Sequence, residues 1–134
     1  MEFTIENDHI KGDLRFGELT ISPDETYGYR PYELLVSSLA GCSGSLLRTI
    51  LTKRRIAFEK IEMQVSAVRN PDYANRIEKL SFSARVYAEE PFAPQQAEKI
   101  AHLVVKNCGM IQSVIQSIDI KFSIQCIHLN GSKN

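Results

Sequence analysis

Pro31-Tyr32-Glu33-Leu34-Leu35-Val36-Ser37-Ser38-Leu39-Ala40-Gly41-Cys42-Ser43-Gly44-Ser45-Leu46-Leu47-Arg48-Thr49-Ile50-Leu51-Thr52-Lys53-Arg54-Arg55 carries the longest helical periodicity in the chain. Leu35, Leu39, Cys42, Leu46 and Ile50 recur at three- and four-residue steps, and Leu34, Val36, Leu47 and Leu51 widen the apolar surface. Proline suits a first helical position, whose N–H has no intrahelical partner. Glu33 suits the positive helix end and Lys53, Arg54 and Arg55 the negative one. The pattern predicts a helix from about Pro31 to Arg55, about 37 Å long. Its middle, Ser37 to Ser45, consists mostly of small residues, and each glycine in a helix interior costs about 1 kcal/mol relative to alanine. Close approach of another backbone would account for this, and so would a small pocket beside Cys42.

Short strands precede this helix. Phe3 and Ile5 alternate with polar residues, as do Leu14 with Phe16 and Leu19 with Ile21, around Gly12 and Gly17. Ser22-Pro23-Asp24-Glu25 is a turn signal, and the whole reads as an antiparallel meander. After the helix, Ile61, Met63, Val65 and Ala67 alternate, then Leu80, Phe82, Ala84 and Val86. Asn70 to Asn75 turns the chain between them, which predicts a hairpin. Pro94 opens a second helix ending near Asn107, and a third runs from Cys108 or Gly109 to about Ser117. Ile118, Ile120, Phe122, Ile124 and Cys126 form one face of a last strand. Clustered strands and separate helices indicate an α+β fold.

The chain has 134 residues, a length that suits a single domain, 1–134. An apolar share of 43% and a charged share of 24% are those of a globular protein and exclude disorder or low complexity. Sixteen basic residues balance sixteen acidic ones, so there is no basic footprint for nucleic acid. The N-terminus lacks the pattern of a signal peptide, and no apolar run is expected to approach the ~18 residues of a membrane span. These features predict a cytoplasmic protein, off the membrane.

Three cysteines are too few, and odd in number, for a secreted disulfide scaffold. Cys126 lies on the apolar face of the last strand and reads as a core thiol. Cys108 stands at the junction of two helices, where it is either a buried joint residue or a thiol acidified by a helix N-terminus. Cys42, mid-helix, is either a core position or a reactive thiol needing a cation from Arg15, Arg30, Arg48 or a histidine. The cysteines and histidines lack metal-ligand spacing, so no metal is expected, and no glycine-rich phosphate loop is present. No cofactor is implied.

The run from Pro31 to Cys42 resembles the OsmC/Ohr family of osmotically induced and organic hydroperoxide resistance proteins. There the segment reads Pro-Glu-Glu/Gln-Leu, then small residues, then Ala/Gly-Cys. A second cysteine of the family stands at the start of a later helix, which Cys108 matches within Lys106-Asn107-Cys108-Gly109-Met110. The resemblance implies an OsmC-like fold and an intertwined homodimer with two sites at the subunit interface. It also implies a thiol-dependent peroxidase acting on organic hydroperoxides or hydrogen peroxide. Cys42 would attack the peroxide and become a sulfenic acid, Cys108 would resolve it as a disulfide, and a lipoylated or thioredoxin-like dithiol would restore both. Arg15 of the partner subunit would activate Cys42, with Arg30 as second choice, and leucines with Met110 would form an apolar mouth.

Three positions depart from the family pattern. Tyr32 replaces an acidic residue that pairs with the arginine, and the resemblance implies that Glu33, one step or ~100° of helix further on, would serve in its place as a catalytic-site residue. Gly109 replaces proline after the second cysteine. The residues around Arg15 do not align firmly. Two other readings keep the fold: a non-catalytic dimer binding an apolar small molecule or reactive electrophile, and a purely structural dimer.

Overall fold

The computed structural model describes residues 1–129. The chain divides into two compact units, Met1–Ser38 and Leu39–Asn134.

In the first unit, β1 (Glu2–Ile5), β2 (Ile10–Asp13) and β3 (Glu18–Ile21) form an antiparallel sheet in chain order, the meander that the sequence predicts. Phe3 lies opposite Gly12, and its ring covers the glycine so closely that a Cβ there would stand 2.8 Å from it. Leu14 and Phe16 do not continue a strand. They fall in the loop between β2 and β3, where Asp13 pairs with Glu18, and Phe16 is fully exposed. Alternation over so short a run cannot distinguish a strand from the tip of its turn. The predicted turn at Ser22 is built around that residue: its buried hydroxyl donates to the Asp8 carbonyl and accepts from the Asp24 N–H.

The long helix α1 spans Pro31–Lys53, two residues shorter than its pattern predicts. The Arg55 N–H donates to the Thr52 carbonyl, and the Ile56 N–H to that of Leu51, with Arg55 at φ 58°. This paired closure ends the helix, and Ile56 packs against the same core as Leu51. Arginine therefore occupies a left-handed position that favours glycine. By length and composition α1 also meets the requirement of a membrane-crossing helix, contrary to the sequence expectation. Its inner stripe, Leu39, Ser43, Leu47 and Leu51, is nevertheless buried against protein.

In the second unit, β4 (Lys60–Asn70) and β5 (Arg76–Ala88) form the expected hairpin, with both strands longer than the apolar alternation suggested. Its turn is a 3-10 segment, Pro71–Tyr73, capped by Asn70, whose side-chain oxygen accepts the Asp72 N–H. The helices α2 (Pro94–Asn107) and α3 (Gly109–Val114) then carry the chain to β6 (Asp119–His128), which runs parallel to β5. α3 stops three residues before its predicted end, in a turn where the Ser117 and Ile118 N–H groups both reach the Val114 carbonyl. The sheet order is β4-β5-β6, and the α+β class holds. Leu80, Phe82, Ala84, Val86 and Ala88 of β5 are buried, flanked by the alternating apolar residues of β4 and β6. Leu47 and Leu51 of α1 meet Ile100 and Val104 of α2 over this surface. Cys126 lies opposite Val86 on the same face, half-buried.

Arg55→Gly should relieve the left-handed cap and raise unfolding stability by about 0.5 to 1 kcal/mol, read as a higher urea midpoint. An unchanged midpoint would show that the cap carries no strain.

Candidate functional site

Cys42 lies one residue before the buried Ser43 on α1 and is half-buried. Cys108 is buried and belongs to neither of its neighbouring helices. It is the C-cap of α2, its N–H donating to the Val104 carbonyl, and the N-cap of α3, its carbonyl accepting the Gln112 N–H. The two sulfurs are 3.1 Å apart, with the Cys108 S–H donating to Cys42. All three cysteines are free thiols, so this contact joins two reduced sulfurs.

The two thiols differ in acidity, in directions fixed by their surroundings. The Cys108 S–H, then the backbone N–H of Met110, and least the N–H of Gly109 hold the Cys42 thiol below its ordinary range, against an opposing effect of burial that exceeds the Gly109 contribution alone. Hydrogen bonds to a thiolate favour the charged form. Burial, and then the contact with Cys42, push Cys108 up. Sequence reasoning placed the helix N-terminus beside Cys108 as a reason for acidity there. The structure assigns the acidified sulfur to Cys42, because burial outweighs the amides at Cys108. No arginine is among the groups acting on Cys42 among the described residues.

The other predicted residues lie in the first unit. Glu33 is in the first turn of α1 and forms an ion pair at 2.7 Å with Arg30, three residues earlier, both side chains being about half exposed. Arg30 is thus the arginine that Glu33 engages in this chain. Arg15 lies in the exposed loop between β2 and β3 and makes no ion pair among the described residues. Among the described residues, no group of three or more His, Cys, Asp or Glu is placed to hold a metal ion.

A family model described as OsmC-like protein matches residues 22–123, a span that contains α1, the hairpin and both paired cysteines. The chain belongs to the OsmC-like family.

Solved structures share the fold at low identity. A hypothetical protein from Aquifex aeolicus VF5 superposes with a TM-score of 0.80 at 22% identity, covering 94% of this chain and 93% of that one. An OsmC-like protein from Mycoplasma pneumoniae gives 0.79 at 17%, covering 95% and 96%. The organic hydroperoxide resistance protein OhrB of Bacillus subtilis gives 0.62 at 17%, covering 92% and 96%. No curated protein matches the chain.

In this OsmC-like chain, sequence reasoning found the two sulfurs but missed the main-chain donors of Gly109 and Met110. The available signal was the placement of both residues in the first turn of a helix, where N–H groups lack intrahelical partners. Cys108→Ala removes the largest cause of Cys42 acidity. Its alkylation midpoint, followed by peptide mass spectrometry across pH, should therefore rise toward the ordinary thiol value of about 8.5. A midpoint that stays in place would remove the S–H donor from the account of Cys42.

Proposed function

We propose that this protein is a thiol-dependent peroxidase that reduces organic hydroperoxides or hydrogen peroxide through Cys42 and Cys108. The observation that carries the reading is the 3.1 Å sulfur contact between an acidified, half-exposed thiol and a buried, protonated one. Family membership supports it, as do relatives named for organic hydroperoxide resistance.

The Cys42 thiolate attacks one peroxide oxygen, the O–O bond breaks, and the leaving alkoxide or hydroxide takes a proton. Cys42 becomes a sulfenic acid. The Cys108 sulfur then displaces the sulfenic hydroxyl, which leaves as water with the Cys108 thiol proton, and a Cys42–Cys108 disulfide forms. The geometry suits this step: sulfurs at 3.1 Å need close by only about 1 Å to reach bonding distance. A dithiol, on a lipoylated or thioredoxin-like carrier, reduces the bond by exchange and is itself oxidised to a disulfide. This cycle needs a reducing compartment, and we assign the protein to the cytoplasm.

The working unit in this reading is a homodimer. Phe3, Ile5 and Phe16 are exposed, and only 22% of the most apolar window of α1 is buried within the chain. Nothing lies within 4 Å of a Cβ placed on Gly41. A second copy would cover these surfaces. Arg15 of the partner subunit would face the leaving oxygen, and Glu33 would act through its pairing with Arg30.

Cys42→Ser should abolish peroxide consumption driven by dihydrolipoamide or dithiothreitol. Peptide mapping of the wild type after one equivalent of peroxide should give a Cys42–Cys108 disulfide. Activity of Cys42→Ser equal to wild type would end the catalytic reading and leave a binding dimer. Gly41→Ala tests the dimer: in a lone chain it should stabilise α1 by about 1 kcal/mol. Against a neighbouring backbone it should instead weaken association at sedimentation equilibrium. Unchanged association would take Gly41 out of the interface.

A further inference from the structure

We infer that Gln112 is a positioning residue for the resolving thiol: its side-chain amide clamps α3 to the last turn of α2 and so holds the Cys108 sulfur against Cys42. The inference rests on the proposed cycle and names what keeps its second thiol in place.

Cys108 is a joint of one residue. α2 ends at Asn107 and α3 begins at Gly109, and Cys108 between them is extended, at φ −81° and ψ 110°. Two backbone torsions therefore set the direction of α3 relative to α2, and the Cys108 side chain turns with them. The core restrains the joint on both sides, through Val104 on α2 and Ile111 on α3, both fully buried. Apolar burial is non-directional, so it keeps α3 on the core without fixing its angle. Hydrogen bonds are directional and can fix it.

Among the described residues, three side chains of α2 and α3 donate to main-chain carbonyls. Asn107 Nδ2 bonds the Leu103 carbonyl at 2.9 Å, within α2. Ser113 Oγ bonds the Gly109 carbonyl at 2.7 Å, within α3. Gln112 alone of the three crosses the joint: its Nε2 donates to the Val105 carbonyl of α2 at 2.7 Å. In a continuous helix that carbonyl would take the N–H of residue 109. The chain turns at Cys108, and the last carbonyls of a helix need another donor. The main-chain N–H of Gln112 meanwhile donates to the Cys108 carbonyl. One residue thus grips both the joint and the helix before it.

The sulfurs stand 3.1 Å apart beside this joint. In the resolving step the Cys108 sulfur approaches Cys42 opposite the S–O bond that breaks. The hydroxyl leaves as water with the Cys108 proton, and the S–S bond forms. In an oriented step of this kind, misplacement by about 1 Å can cost about a hundredfold. A small rotation about the Cys108 torsions swings its sulfur and stretches the Gln112–Val105 bond. The clamp therefore holds the reduced pair near the geometry of its disulfide. Gln112 is itself exposed and acts only through Cys108.

The experiment compares Gln112→Met, which keeps the reach of the side chain and loses the donor, with Gln112→Lys, which keeps a donor. Asn107→Ala is the control, since it removes a bond of the same kind that stays within α2. Each reduced protein receives one equivalent of cumene hydroperoxide in the presence of dimedone. Mass spectrometry then divides Cys42 between the dimedone adduct of its sulfenic acid and the Cys42–Cys108 disulfide, a ratio independent of how fast the sulfenic acid forms. Gln112→Met should raise the adduct relative to the disulfide by about two- to tenfold, the range of one hydrogen bond. Gln112→Lys and Asn107→Ala should divide as wild type. A Gln112→Met ratio equal to wild type overturns the inference. An equal rise in Asn107→Ala overturns it too, since general loosening of the helix end would then suffice. So does a Gln112→Lys ratio equal to that of Gln112→Met, which would assign the effect to packing.

A second measurement uses no peroxide. At equilibrium with mixtures of reduced and oxidised glutathione, the Cys42–Cys108 disulfide should be less favoured in Gln112→Met by the same factor, and an unchanged equilibrium overturns the inference. A wild type that consumed no peroxide would end the peroxidase reading, and the glutathione equilibrium would still decide the role of Gln112.

Discussion

Every second residue of β5, from Leu80 to Ala88, is withdrawn from water, and the positions of both paired sulfurs follow from that one buried surface. Leu47 and Leu51 hold α1 against it, five and nine residues beyond Cys42. Ile100 and Val104 hold α2 against it, just before Cys108. The sulfurs come from distant segments of chain, yet each is a short rigid step from the same packed layer. Side chains in such a layer interdigitate at near-crystalline density, so displacement of either helix would open a void or force a clash. A contact of 3.1 Å between side chains 66 residues apart is held by the core, since a single S–H bond is too weak to hold it.

The same packing explains what could be read in advance. The periodicity of α1, the alternation of β4, β5 and β6, and the α2 stripe are records of one-sided burial, and each element was found where the pattern placed it. The pattern failed where burial was not the determinant. Leu14 and Phe16 alternate as if in a strand but occupy a loop whose position is set by backbone pairing between Asp13 and Glu18. Arg55 reads as a basic end to α1, whereas the helix closes two residues earlier through main-chain bonds, with Arg55 in a left-handed conformation that favours glycine. At the site, the cysteine pair was legible from the family pattern because its identity resides in side chains. The donors to Cys42 were not, because they are backbone N–H groups, whose direction depends on how α2 gives way to α3.

Zero net charge takes on a definite meaning at this point. An anionic sulfur could be supported by a formal cation, as sequence reasoning expected, but among the described residues of this chain the groups that hold the Cys42 thiol below its ordinary range are an S–H and two amide N–H groups, all neutral. Neutral dipoles act over short distances and depend on orientation, so the acidity is confined to the sulfur they face. It is also less exposed to screening by salt than the attraction of a mobile surface arginine. Arg30 illustrates the alternative: its charge is already engaged by Glu33 at the solvent-exposed start of α1.

Cys108 can be a donor in the resting state only because it is the less acidic thiol. Burial keeps its proton on sulfur, and that proton bonds to Cys42 and holds Cys42 toward the thiolate. In the proposed cycle the demands then reverse. Once Cys42 carries a hydroxyl, its negative charge is gone, and the reason for Cys108 to hold its proton as a donor to a thiolate has gone with it. The departing hydroxyl needs a proton to leave as water, and the nearest is the one on Cys108. Loss of that proton creates the nucleophile that the step requires, beside the sulfur it must attack. One hydrogen bond thus sets the order of events: it activates Cys42 before oxidation and releases Cys108 after it. The two thiols can play opposite parts in succession without any group moving further than the closing of a sulfur contact.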